Sequence, residues 1–266
     1  MNEFILKLDV LQYKNGEKKR ISDPVILEHV LSISINTNPF FELVCSPDQP
    51  ENLAAGFLFT QGVITDRTEI EGIVFDKKAF DVRINLCVKA TNRLNTMNKQ
   101  PGRKGSSGGL LSPESNISRN RPATDHLRIS CDDVLRLIRL HHENSKLFKK
   151  TGAVHSCAIC SSGEIIRFYE DVGRHNAFDK MAGDILMNNL STTGKIVTAS
   201  CRISLEILQK ISMAGFSMVI SNAAPTHTAL IAAESAGITV IGFARDHRFN
   251  VYTHEDRVIS SASKED

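Results

Sequence analysis

The side chains able to do chemistry are densest between Glu170 and Lys180, in the run Glu-Asp-Val-Gly-Arg-His-Asn-Ala-Phe-Asp-Lys. Glu170, Asp171 and Asp179 only accept hydrogen bonds, Arg174 and Lys180 only donate, and His175 and Asn176 do both. All of them fall within about three helical turns of Gly173. The run follows an apolar stretch, so it reads as a strand-to-helix junction. The first N–H groups of a helix have no partner inside the helix and are open to anionic ligands. The alternative is a solvated charge run on a surface loop.

Those residues must be positioned by the rest of the chain. From residue 154 onward apolar strands alternate with helical segments. The expected strands are 154–160, 164–169, 195–199, 218–221 and 239–243; the expected helices are 176–188, 204–214 and 226–236. Such alternation predicts an α/β layer structure with a partly parallel sheet. Ligands bind beyond the carboxyl ends of the strands in these sheets. Four polar clusters fall there: residues 171–175, 200–202, 221–226 and 245–248.

The N-terminal part reads as β-rich. Ile33-Ser34-Ile35-Asn36 alternates, Asn38-Pro39 turns, and Phe41-Glu42-Leu43-Val44-Cys45 resumes, which predicts a hairpin. A helix is expected over 53–59, ending near Gly62, and two further strands over 73–75 and 82–88. From about Thr91 to Asp125, Gly, Ser, Asn, Pro and basic residues dominate, and a long loop or linker is expected. Ser130 then caps a helix with Asp132 and Asp133 in its first turn, and Gly152 stops it. The expected organisation is a β-rich part over 1–90, a long loop over 91–126 and an α/β domain over 127–266.

Apolar residues make up 41% and charged residues 23% of the 266, ordinary values for a globular protein with one large core or two modest ones. The formal net charge of +2 gives no global attraction to nucleic acid or membrane, so any electrostatic function is local. Trp is absent and aromatics are few, which argues against single-strand stacking platforms. The opening Met-Asn-Glu-Phe-Ile-Leu-Lys-Leu-Asp does not read as a signal peptide, and no apolar run nears the ~20 residues that span a bilayer, so the expected location is the cytoplasm. Six scattered cysteines fit a reducing compartment rather than a disulfide scaffold.

Taken together, Thr151-Gly152-Ala153-Val154-His155, the run from Asp171 to Lys180, and Ala224-Pro225-Thr226 resemble the formate dehydrogenase accessory sulfurtransferase family (FdhD/NarQ). Residues 53–62 and the tail Tyr252-Thr253-His254 with Arg257 match as well, so the resemblance covers nearly the whole chain. It implies a cytidine deaminase-like α/β domain and a homodimer. It also implies sulfur relay from a cysteine desulfurase to a molybdenum or tungsten bis-guanine-dinucleotide cofactor destined for formate dehydrogenase, with no tightly held metal of the protein's own. The stretch that corresponds to the family's cofactor-binding segment is Phe243, Ala244, Arg245, Asp246, His247 and Arg248.

The chemistry suits such a ligand. Two pyrophosphates carry several negative charges, for which Arg174, Arg202, Arg245 and Arg248 are planar, bidentate donors. The N1 and amino protons of guanine present two donors to one carboxylate, that of Asp171 or Asp179. His155, His175, Asn176, Lys180 and Thr226 complete the expected cofactor-binding set. For either histidine, moving a proton near neutral pH and bracing a loop both stand as readings. Gly56, Gly173 and Gly242 are expected to permit tight backbone geometry.

The chain departs from the family at one place that matters. The family's long loop carries Cys-x-x-Cys, whose first cysteine is taken to hold the persulfide. Here the loop reads Gly105-Ser106-Ser107-Gly108-Gly109-Leu110-Leu111; the best register places Ser107 at that cysteine and Leu110 at the second, a shift by one puts Ser106 and Gly109 there, and neither register yields a cysteine. A hydroxyl cannot form a persulfide, because exchange needs a thiolate. Three explanations stay open: a non-catalytic cofactor-binding chaperone, another cysteine in the role, or a sequence altered from its native gene. Cys157-Ala158-Ile159-Cys160 is expected in an apolar strand, where positions three apart face opposite sides, and so as two buried thiols. Cys201, beside Arg202, is the other candidate, with a small buried core residue as the competing reading. A zinc deaminase reading lacks its residues: His155 is followed by Ser156-Cys157 with no Glu at the third position, and no Pro precedes Cys157.

Overall fold

An Asn-Gly pair opens the architecture. Asn15 and Gly16, both at positive φ, turn β1 (Ile5–Lys14) back onto β2 (Glu17–Ile26). Two consecutive left-handed residues are what a type I′ hairpin turn requires. β3 (His29–Ile35) and β4 (Asn38–Cys45) form the hairpin expected from their alternation, which sends Leu31, Ile33 and Ile35 inward, but the chain turns at Asn36 and Thr37, both at positive φ, and the expected turn residues Asn38 and Pro39 already belong to β4. The computed structural model describes residues 4–98 and 127–260.

α1 (Pro50–Thr60) leads to β5 (Ile70–Asp76) and β6 (Asp81–Leu86), and β6 runs parallel to β3 in a four-stranded sheet of order β4-β3-β6-β5. α2 (Val88–Asn98) follows. It corrects the expected loop: residues 91–98 are helical, and the helix crosses the expected boundary at residue 90. The polar composition concealed it, but buried Leu94 and partly buried Met97 pack on the core and Asn36 Nδ2 donates to Thr91 Oγ1 at 2.9 Å. Ser107 and Leu110 lie outside the described residues.

The second half begins with β7 (Ile129–Ser130) and α3 (Cys131–Asn144), capped by Ser130, whose hydroxyl accepts from Asp133 N–H. The single helix expected up to Gly152 breaks at Ser145, and α4 (Lys146–Thr151) starts anew. The Glu170 carboxylate accounts for the break. It accepts from Leu147 N at 3.0 Å and Phe148 N at 3.1 Å, satisfying the N–H groups that a continuous helix would have used internally. Gly152 ends α4 in the left-handed conformation, φ 68°.

The remaining elements are β8 (His155–Ser161), β9 (Glu164–Asp171), α5 (Arg174–Asn188), β10 (Ile196–Ala199), α6 (Leu205–Met213), β11 (Met218–Ser221), α7 (His227–Ala236), β12 (Thr239–Arg245), β13 (Arg248–Val251) and β14 (Val258–Ile259). The larger sheet has the order β13-β12-β11-β10-β8-β9. β10, β11 and β12 are parallel, while β8 is antiparallel to both β10 and β9. β9 therefore runs with β10–β12. The carboxyl ends of those four strands and the start of β8 share one edge, as the alternation predicted.

Helices cover both faces of this sheet. α3 packs on one face with Val134, Leu137 and Ile138 against Cys160, Met218 and Ile220. On the other face a single core runs from the four-stranded sheet through α1 and α5 to Cys157, Ile159 and Val197. α1 and α5 touch backbone to backbone: a Cβ on Gly56 would lie 1.8 Å from Asp179 O, and one on Gly183 would lie 1.9 Å from Asn52 O. Only glycine permits that approach.

Candidate functional site

A cavity of about 810 Å³ opens at the carboxyl edge of the larger sheet, on its α3 face. That is within the usual range for small-molecule sites. The start of β8 contributes His155, the end of β10 Ser200, the end of β11 Asn222, and the turn after β12 Ala244, Arg245, Asp246 and His247. α3 and α4 close the opposite wall with Ile138, Arg139, His142 and Phe148. The sheet-edge wall is polar, and the α3–α4 wall sets Leu135, Ile138 and Phe148 among Arg139, His142 and Glu143, which suits a ligand with charged groups and a flat ring.

The β12 wall depends on an irregular backbone. The ladder between β12 and β13 slips between Gly242 and Arg245, and Phe243 and Asp246 both adopt positive φ, 52° and 51°. Left-handed backbone at a phenylalanine is rare and is retained where the surroundings fix it. Phe243 N–H donates to Ala223 O at 3.2 Å, which ties the bulge to the loop after β11. Arg245 lies over the Phe243 ring, 5.7 Å from its centroid, and exposed to solvent. Gly242 lets the segment close on its neighbours: a Cβ there would sit 3.0 Å from both Pro225 Cδ and Tyr252 Cε2.

Of the residues expected to bind the cofactor, the structure brings His155, Ala244, Arg245, Asp246 and His247 together around this cavity. Phe243 supports it from beneath Arg245, and Arg248 follows on β13, exposed. Burial, and then the nearby Arg174 charge, hold His155 below the ordinary histidine pKa, so the ring is neutral at pH 7. Arg174 is half-buried at the start of α5, Arg202 is exposed after β10, and Thr226 caps α7 by accepting from Ala229 N–H. These three are not among the cavity's lining residues.

The acidic and amide members of the dense run turn inward instead. Asp171 is fully buried; it accepts from Ser46 N at 3.0 Å, Gly173 N at 2.8 Å and Asn176 Nδ2 at 2.9 Å. Asn176 also donates to Val44 O at 2.8 Å. Asp179 is held by Lys210 Nζ at 2.5 and 2.6 Å and by Thr60 Oγ1 at 2.6 Å. Lys180 is fully buried against Asp171, Asp48 and the carbonyl of Ser46. These groups fasten α1 and the end of β4 to the α/β half, and their bonding capacity is used there. The carboxylates of Asp171 and Asp179, expected to meet guanine, are thus corrected to structural partners. His175 is half-buried with Nε2 3.4 Å from Glu206 Oε2, and burial pushes its pKa down to about 4.

The cysteines sort as their positions predicted. Cys157 and Cys160 fall in different cores on opposite faces of the sheet, and burial raises both thiols, that of Cys160 to about 11. Cys201 is buried and pushed up to about 12 by desolvation, which outweighs the charges of Arg174 and Arg202. None of the six cysteines lines the cavity. Among the described residues no group of three or more His, Cys, Asp or Glu side chains is placed to hold a metal ion, and no helix is long and apolar enough to cross a membrane.

Sequence reasoning missed the α3–α4 wall. Leu135, Ile138, Arg139 and His142 form a stripe at helical spacing on one face of α3 and line the cavity. The signal available was a basic residue and a histidine inside that stripe.

By fold and by hollow, this is a mixed α/β protein of several sheets with a half-polar cavity at the carboxyl edge of the larger one. A model of the FdhD/NarQ family matches residues 26–259. Sulfur carrier protein FdhD of Bacillus licheniformis is 36% identical over 250 residues, covering 94% of this chain and 95% of that protein. Its namesake in Bacillus subtilis is 35% identical over 251 residues, covering 94% and 96%. A solved structure from Desulfotalea psychrophila, assigned as a formate dehydrogenase accessory protein, matches with a TM-score of 0.78 over 96% of this chain and 100% of that one. At 23% identity that likeness speaks for the fold alone. The chain belongs to the FdhD/NarQ family.

Proposed function

We propose that this protein is a formate dehydrogenase accessory factor that binds a guanine-dinucleotide form of the molybdenum cofactor in the cavity at the sheet edge. The observation that carries the reading is the convergence of His155, Ser200, Asn222, Arg245, Asp246 and His247, from four strand ends, on one hollow. In this reading the exposed Arg245 pairs with a pyrophosphate oxygen and the Asp246 carboxylate accepts the paired N–H donors of guanine. Asn222 and Ser200 supply neutral hydrogen bonds, and Leu135, Ile138 and Phe148 of the α3–α4 wall cover the ring. The cofactor is cargo, passed on to formate dehydrogenase in the cytoplasm, and the six-stranded layer with helices on both faces is the cytidine deaminase-like domain. Neither nucleic acid nor membrane takes part.

The family's transfer of sulfur from a cysteine desulfurase needs a thiol that can approach the cargo. In this chain Ser107 stands at the persulfide position, and the cavity is lined by none of the six cysteines. That favours a cofactor-binding chaperone that does not carry sulfur. The test is to incubate the protein with a cysteine desulfurase and cysteine, measure the intact mass, and titrate guanosine diphosphate by calorimetry. Nucleotide binding without a gain of one sulfur atom is expected. A stable sulfur adduct refutes the chaperone reading, and absence of nucleotide binding refutes the site.

A further inference from the structure

The β1–β2 hairpin joins neither of the larger sheets, and its main contact with the rest of the chain is β2 against α4. A two-stranded ribbon on its own is marginal in water. This one nevertheless exposes Leu6, Leu8, Leu11, Tyr13 and Val25. Leu6, Leu8 and Val10 alternate onto one face of β1, and the register sets Val25 opposite Leu6 and Ile21 opposite Val10. That face is apolar at Leu6, Val25, Val10 and Ile21, with Asp23 standing opposite Leu8 between them.

The two free edges differ in kind. β2 carries Lys18, Lys19 and Arg20 in succession and then Pro24, which has no N–H; both features keep an edge from pairing. β1 has no proline. Its two central charges, Lys7 and Asp9, stand opposite Pro24 and Ser22, so neither faces an opposite charge across the hairpin.

We propose that β1 pairs antiparallel with β1 of a second copy of this chain about a two-fold axis through Leu8, joining the two hairpins into one four-stranded sheet. In that register Lys7 of each copy faces Asp9 of the other, Leu8 faces Leu8, Leu6 faces Val10 and Ile5 faces Leu11. Each charge meets its opposite and each of these apolar residues meets another. A slip of one residue sets Asp9 against Leu6 or Leu8, and a slip of two sets Lys7 against Lys7 or Asp9 against Asp9. The contact is self-complementary and closes at two copies. The family resemblance implies a dimer; the strand, the axis and the register are added here.

The test uses the full chain. Analytical ultracentrifugation of the wild type gives a dimer. Lys7→Asp and Asp9→Lys each bring like charges together twice and weaken the dimer by about tenfold or more. The double variant Lys7→Asp/Asp9→Lys restores it. Leu8→Cys crosslinks into a disulfide-linked dimer under mild oxidation and Leu6→Cys does not, because only Leu8 meets its own counterpart at disulfide distance. A monomeric wild type, a dimer indifferent to both single swaps, a double variant that stays monomeric, or equal crosslinking of the two cysteine variants overturns the proposal.

Discussion

Lys180 Nζ lies 2.8 Å from Asp171 Oδ2, and neither side chain has any exposure to solvent. Asp48 Oδ1, 2.7 Å away, joins the pair from the segment after β4. Burial alone would lower the lysine's pKa, but the two carboxylates outweigh it and hold the ammonium charged. This knot binds the N-terminal sheet to the α/β half from inside the densest polar run of the chain.

Lys180→Met should therefore act on stability. It leaves Asp171 buried without its cation, and breaking a buried pair from one side costs about 3–5 kcal/mol. Urea denaturation should show a midpoint shift of that order. Guanosine diphosphate affinity, measured where the variant is folded, should stay within a few-fold of the wild type. Unchanged stability with lost affinity would place Lys180 at the ligand instead.

Arg245→Ala should do the opposite. The side chain is exposed and stacks on Phe243. Thermal stability should hold, while guanosine diphosphate binding by calorimetry weakens about 10- to 100-fold, the worth of one charge-assisted contact. Equal affinity in the variant would remove the arginine from the site.

These two residues show what could be read in advance and what could not. The sheet edge was legible because strand–helix alternation fixes where carboxyl ends fall, so the cluster 245–248 was placed by pattern, whereas His155, at the start of its strand, entered only through the family resemblance. Asp179 and Lys180 look the same in sequence whether they face a ligand or a buried partner. The partners that decide it are far away in the chain: Thr60 is 119 residues from Asp179, and Asp48 is 132 residues from Lys180. α2 was missed for a related reason, since its few core residues, Ala90, Leu94 and Met97, are diluted among Thr and Asn.

Gly56→Ala should destabilise the α1–α5 contact. The new methyl would lie 1.8 Å from Asp179 O, so the helices must separate. Overpacking of this kind costs about 1–3 kcal/mol, against which the better helix propensity of alanine offsets under about 1 kcal/mol. A thermal melt showing a stabilised variant would mean that the helices are not packed this closely.

Acid should weaken the fold through His141. Its Nδ1 lies 2.8 Å from Thr198 Oγ1 and its Nε2 lies 2.8 Å from Ser156 Oγ, bridging α3 to β10 and β8. Burial, with a smaller contribution from His142, lowers its pKa from 6.5 to about 4. The unfolded chain then binds the proton first. The stability is fully present above pH ~6.5 and is lost as pH falls toward about 4, on the order of 3 kcal/mol in all. His175 titrates in the same direction. Denaturation midpoints followed across this range should fall with acid in the wild type and less steeply in His141→Gln; equal slopes would show that His141 does not carry the effect.

Alkylation bears on the sulfur question through the cysteines themselves. Cys201 is the thiol beside two arginines, yet it is buried and held near 12, so almost none of it is thiolate at neutral pH. Cys157 and Cys160 are buried and raised as well, and Cys45 is pushed up to about 12 by burial and by the Asp171 charge. Iodoacetamide on the native protein at pH 7 should therefore modify only the half-buried Cys87 and Cys131, with the other four reacting after unfolding. Peptide mapping by mass spectrometry reads the pattern directly. Rapid native labelling of Cys201 would supply the missing thiol next to Arg174 and Arg202, and would restore sulfur transfer as a possibility for this chain.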